Sequence, residues 1–207
     1  MEDGAVLVSG DTIAWVGPAD AAGEVITPHG AEPVSVVSLG DAVLLPGLVN
    51  AHSHLELTTL RGFLEGLDFR EWLRTLTAVR RDLLTEADLL DASRVGIVEA
   101  LRHGITTLAD CTDSAMPLHA MRELGVRGIG YVELFGPDPA QRDESLSRLR
   151  ARVELLRQQD TPLVRTGVSP HAPYTVSASL FRATAEYALA ERLPMACLLY
   201  TSPSPRD

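Results

Sequence analysis

The segment Pro46-Gly47-Leu48-Val49-Asn50-Ala51-His52-Ser53-His54 decides how the rest of the chain is read. Gly47–Asn50 is a short apolar run that leads, as a strand, into two histidines separated by one serine. Alternate side chains of extended backbone point to the same side, so His52 and His54 share a face. Two imidazoles at that spacing, at the C-terminal end of a strand, are able to hold one zinc-like cation. The plainer alternative is two unrelated histidines in a polar turn. The pattern on either side of the pair decides between these readings.

Downstream, the chain alternates helices and strands. Amphipathic helices are predicted near Phe69–Arg81 and Glu86–His103, with Thr85 as an N-cap and Gly104 just past the C-terminus of the second. Ile105–Ala109 reads as a buried strand, Ala115–Leu124 as a helix ending near Gly125, and Arg127–Leu134 as another strand. The spacing of Leu146, Leu149, Val153 and Leu156 predicts one buried face of a helix over Pro139–Gln159. Leu163–Ser169 is a strand and Ser177–Glu191 a helix, and a fifth unit begins at Leu193-Pro194-Met195-Ala196. Such alternation predicts an α/β fold with a parallel sheet and right-handed crossovers. A half-built barrel and an open doubly wound sheet both satisfy this periodicity. No glycine-rich dinucleotide loop follows the first strand, which disfavours the second. In a barrel, active sites gather at the C-terminal ends of the strands, which is where the histidine pair falls. That favours metal.

Upstream, residues 1–46 read as a small β unit. Ala5–Ser9 and Thr12–Val16 flank the hairpin-type turn Gly10-Asp11, and further strands are predicted at Val34–Ser38 and Ala42–Leu45.

Composition narrows the partners. The net charge is −10 and no basic run exists, so nucleic acid and anionic membrane surfaces are disfavoured and a small-molecule substrate is the expected partner. No run approaches the length of a transmembrane helix, and the first residues lack the charge-then-apolar order of a signal peptide. Cys111 and Cys197 lie far apart and form no CxxC pair, which fits a reducing, cytoplasmic setting. All 18 basic residues are arginine, so a lysine Schiff base, a Walker loop and a lysine bridge between two metals are excluded within this chain. Oligomeric state is left open, a homo-oligomer included.

The Pro46–His54 segment resembles the first barrel strand of the amidohydrolase superfamily, whose Pro-Gly, apolar pair and His-x-His supply two metal ligands. Asp3-Gly4 through Gly17 is similar to that family's small β-sandwich. Ser169-Pro170-His171-Ala172-Pro173-Tyr174 resembles the fourth-strand loop of its cytosine deaminase, chlorohydrolase and thioadenosine/adenosylhomocysteine deaminase branch. The resemblance implies a partial TIM (β/α)8 barrel, about the first four βα units over residues 47–196, preceded by part of a β-sandwich over 1–46. It implies one divalent metal, zinc or alternatively iron, held by His52 and His54, with His171 contacting substrate. The implied reaction is deamination of a nucleobase- or nucleoside-like heterocycle by metal-activated water. Hydrolysis of a cyclic amide or a ring halide on the same scaffold is the alternative, and a non-catalytic relative the third.

Other candidates rest on position. Glu56 follows the histidine pair, either reaching the pocket or making local hydrogen bonds. Asp110 ends the second strand and Glu133 lies near the end of the third, where barrel pockets take polar groups; each is equally suited to capping a following helix or satisfying loop amides. Arg61 reads as a surface arginine, and His29, His103 and His119 as surface or helix-end residues. Cys111 has no histidine partner in the sequence and reads as a core-edge residue.

After Ala196 the family pattern expects a strand ending in a metal-binding histidine with a glutamate three residues on. The chain instead continues with Cys197 into a Ser-Pro-Ser-Pro run, and proline cannot donate to a central ladder. Residues 197–207 resemble a translated sequencing adapter and are expected to be non-native. The catalytic carboxylates are then expected from beyond residue 196, and this polypeptide alone is expected to be poorly stable and inactive.

Overall fold

The computed structural model describes residues 2–26 and 35–199, which fall into two compact units divided after Leu45. His29 and residues 200–207 of the expected non-native tail lie outside the described residues, as does Val34.

In the first unit, β1 (Gly4–Ser9) pairs antiparallel with β2 (Thr12–Pro18) around the expected turn, with a register irregularity between Leu7 and Val8. A 3-10 turn at Ala19–Ala21 and a short helix α1 (Ala22–Ile26), neither of them expected, follow. The two further strands expected between residues 34 and 45 are absent from the described part of that stretch. Val36 and Val43 are 85% and 84% exposed there. Alternating apolar residues make a strand only when a neighbour completes the ladder, and among the described residues this segment has none.

The second unit is a four-stranded parallel sheet in the order β3-β4-β5-β6, formed by Leu48–Ser53, Ile105–Thr112, Arg127–Leu134 and Val164–Pro170. Its helices are α2 (Phe69–Asp82), α3 (Glu86–Arg102), α4 (Met116–Leu124), α5 (Arg142–Arg157) and α6 (Ala178–Glu191). Each strand-to-strand passage runs through at least one helix, as parallel pairing requires. The fifth segment begins where expected: Met195 bridges Val168 in parallel, and the Ala196 amide donates to Val168 O at 3.0 Å. The sheet is not closed, and β3 has a neighbour on one side alone among the described residues.

Local signals explain the boundaries. Thr85 and Asp88 form a reciprocal capping box at the start of α3, and Ser177 caps α6. Gly104, at φ +79°, takes the left-handed turn that releases α3 into β4. Leu146, Leu149, Val153 and Leu156 of α5 are all buried, each contributing about 1.5–3 kcal/mol of apolar burial. In β5 the residues alternate strictly, with Gly128, Gly130, Val132 and Leu134 facing the helices. Gly128 lets α4 and β4 close in, since a Cβ there would lie 2.7 Å from the Leu108 carbonyl oxygen. Among the described residues no helix is long and apolar enough to cross a membrane.

Candidate metal centre

Ser53 fixes which way its neighbours point. Its hydroxyl donates to Asp110 Oδ1 at 3.0 Å and to Ala109 O at 3.2 Å. With Ser53 turned towards Asp110, the pleat sends His52 and His54 to the other face. Their rings sit 5.0 Å apart between centroids and nearly perpendicular, at 89°. Two imidazoles on one tetrahedral ion, each nitrogen about 2.1 Å from the metal, place their ring centroids about 5 Å apart. The pair therefore fits as two ligands of a single ion. Among the described residues no group of three or more His, Cys, Asp or Glu converges to hold a metal.

The surroundings favour neutral, metal-binding imidazoles. His54 keeps an exposed edge, yet protein around the ring depresses its pKa, burial first and the His52 charge second. His171, just after β6, is lowered by burial and then by His52. His52 lies on β3 and His171 directly follows β6. A cleft of about 460 Å³ is lined by Ala51, His52, Cys111 and the segment Ala196–Leu199. The His171 ring pairs through Nδ1 with the Thr175 hydroxyl at 2.8 Å, and its centroid lies 4.8 Å from that of Phe135. That leaves Nε2 as its outward-facing nitrogen.

The carboxylates separate into distinct roles. Asp110 has no exposed surface; it accepts the Leu55 amide at 2.7 Å, and its Oδ2 has no hydrogen-bond partner. Burial holds its carboxyl well above the usual range. It satisfies a loop amide. Glu56 is 3% exposed and takes Arg80 Nε at 3.0 Å, Arg80 Nη2 at 2.8 Å and the Ser114 hydroxyl. Of the two readings for Glu56, this geometry favours local hydrogen bonding.

Glu133 differs from both. It is opposite Ser169 in the β5–β6 register, on the same face as Tyr131 and Cys111. Cys111 Sγ in turn lies 3.5 Å from His52 Nδ1. Glu133 makes no hydrogen bond or ion pair among the described residues, and burial, then Asp113 and Glu56, push its carboxyl up to about 7.

The remaining candidates are quieter. Arg61 pairs with Glu99 at the surface, and His103 Nδ1 contacts the Glu99 carbonyl at the end of α3. His119 is half-buried on α4. Burial pushes the Cys111 thiol up to about 12, so it is no nucleophile at neutral pH. Arg80, which partners the buried Glu56, was not singled out from the sequence. Nothing local distinguishes it from the other arginines.

A model of the amidohydrolase family matches residues 43–197. The chain is 36% identical over 206 residues to the 5-methylthioadenosine/S-adenosylhomocysteine deaminase of Nitratidesulfovibrio vulgaris, covering 94% of this chain and 43% of that protein. It is 31% identical over 194 residues to the corresponding enzyme of Moorella thermoacetica, covering 89% of this chain and 42% of that protein. It thus spans less than half the length of these relatives. A zinc-bound adenosine deaminase from Xanthomonas campestris superposes with a TM-score of 0.79 at 30% identity, covering 95% of this chain and 44% of that one. With its histidine pair, its parallel sheet and these matches, the chain belongs to the amidohydrolase family.

Proposed function

We propose that the protein is a metal-dependent deaminase acting on an adenosine-like nucleoside, with the open sheet forming part of a (β/α)8 barrel. The observation that carries the reading is the His52–His54 pair at 5.0 Å, with His171 within electrostatic reach of both. The adenosine-type names of the relatives narrow the substrate class.

His52 and His54 would hold the ion, and burial lowers the pKa of His54, which favours the neutral ring that a metal binds. Bound there, a divalent ion such as zinc supplies Lewis acidity towards water and towards developing negative charge. His171, fixed by Thr175, directs its remaining nitrogen at the substrate. Phe135 and Tyr174, both about half exposed and flanking His171, offer flat walls for a planar ring. Glu133 supplies a carboxyl whose proton is exchangeable near neutrality and which hydrogen-bonds a polar group of the substrate. Catalysis belongs to the whole protein, whose further ligand and proton-transferring carboxylates are expected from beyond residue 196.

The test is ammonia release from adenosine, methylthioadenosine and adenosylhomocysteine by a protein spanning the length of the relatives, with metal content measured in parallel. One bound ion, chelator-sensitive turnover and loss of both in His52→Ala are expected. Release of no ammonia from any of the three, with or without zinc, overturns the reading.

A further inference from the structure

Helix α2 has no fully buried side chain among its fourteen residues; Trp72, Leu76 and Val79 are half-buried. What it delivers inward is Arg80, whose side chain is 21% exposed. Arg80 Nε lies 3.0 Å from Glu56 Oε1 and Nη2 lies 2.8 Å from the same oxygen, while Nη1 reaches Asp113 Oδ2 at 2.5 Å. Asp113 is gripped from its far side by Arg152 of α5, at 3.7 Å. The other Glu56 oxygen takes Ser114 and, at 3.4 Å, Thr112.

Glu56 lies on the 3-10 turn Leu55–Leu60, which begins directly after His54. That turn is held at its base by Asp110, through the Leu55 amide, and closed by Leu57 N donating to His54 O at 3.0 Å. From the side it is held by Arg80. A carboxylate 3% exposed requires a charged partner, and the guanidinium fork satisfies Glu56 and Asp113 at once.

We propose that Arg80 is a positioning residue for the metal centre: through Glu56 it locks the turn carrying His54, and so sets the ring that is to bind the ion. The inference rests on His54 being a metal ligand, but its structural half is testable without metal. It also gives α2 a purpose, since the helix brings one arginine to the C-terminal ends of the strands.

The experiment is amide exchange and histidine-ring NMR on the metal-free chain, comparing Arg80→Ala and Arg80→Lys with Arg81→Ala, whose guanidinium pairs with the adjacent Asp82. Arg80→Ala is expected to speed exchange at Leu55 and Leu57 about tenfold and to shift the His54 ring signals, with Val132 and Val168 unchanged. Arg80→Lys, which keeps the charge but cannot reach both acids in one plane, falls between. A double variant, Glu56→Gln with Arg80→Met, removes both charges of the pair and returns the turn towards wild type. Cobalt(II) titration of the same proteins should show affinity about tenfold weaker in Arg80→Ala. Unchanged His54 signals and Leu57 exchange in Arg80→Ala overturn the inference, as does equal acceleration at Val132, which would make Arg80 merely a stability residue. If the wild-type chain binds no cobalt, the metal reading fails, while the exchange data still decide whether Arg80 holds the turn.

Discussion

Replacing Glu133 with glutamine should change how stability depends on pH. Its carboxyl is moved from the ordinary 4.5 to about 7, first by burial, then by the negative charges of Asp113 and Glu56, with Arg80 opposing. In the unfolded chain the group titrates near 4.5. Between those values the folded state holds the proton more tightly, so unfolding free energy falls as pH rises through the window. The contribution is fully present below 4.5 and lost above about 7. At 1.36 kcal/mol per pH unit the ceiling is about 3.4 kcal/mol, and partial solvent contact reduces the expected effect to about 2 kcal/mol. Glutamine has the same shape and no charge to desolvate. Glu133→Gln should therefore match wild type at about pH 4 and exceed it by about 2 kcal/mol at about pH 8. His54 and His171 act in the opposite sense, since their lowered pKa values make stability rise with pH, but both proteins carry them and the difference cancels. Urea unfolding followed by circular dichroism gives the two curves. A gap between variant and wild type that is the same at both pH values would refute the reasoning, because it would mean Glu133 titrates alike in both states.

Two further expectations concern the scaffold. Leu118 has no exposed surface and packs where α4 crosses Gly130, so Leu118→Ala should cost about 3 kcal/mol, read as a lower urea midpoint at unchanged slope. Thr85→Ala removes one half of the capping box on α3 and should cost about 1 kcal/mol, with thermal melting as the readout; Thr85→Ser, which keeps the hydroxyl, should retain most of the wild-type stability.

Periodic features were legible in the sequence because their physics is local. The α5 stripe, the β5 strand and the cap at Thr85 each depend on residues within a turn or two of one another. The expected strands between residues 34 and 45 failed for the complementary reason: their apolar residues alternate, but a strand also needs a partner, and spacing does not reveal one. The turn Leu55–Leu60 is too short to show a period, and Arg80 meets Glu56 across a separation of 24 residues. Long-range polar pairing leaves no periodic trace.

The histidine pair and the acidic candidates show where the boundary lies within the site itself. His52 and His54 were readable because the two-residue repeat of extended backbone suggests one face, and their rings do lie together although β3 has a register irregularity between Asn50 and Ser53. Asp110 and Glu133 looked alike in the sequence, each an acid closing a strand. The register separates them: Asp110 stands opposite Gly130, and Glu133 lies three positions further along β5, on the other face. Asp110 is thereby committed to the Leu55 amide on the helix side, and Glu133 shares its face with Cys111, next to His52. One odd step in register sends one acid to the helix side and the other to the face of Cys111. That step is fixed by how β4 pairs with β5, which no single stretch of the sequence records.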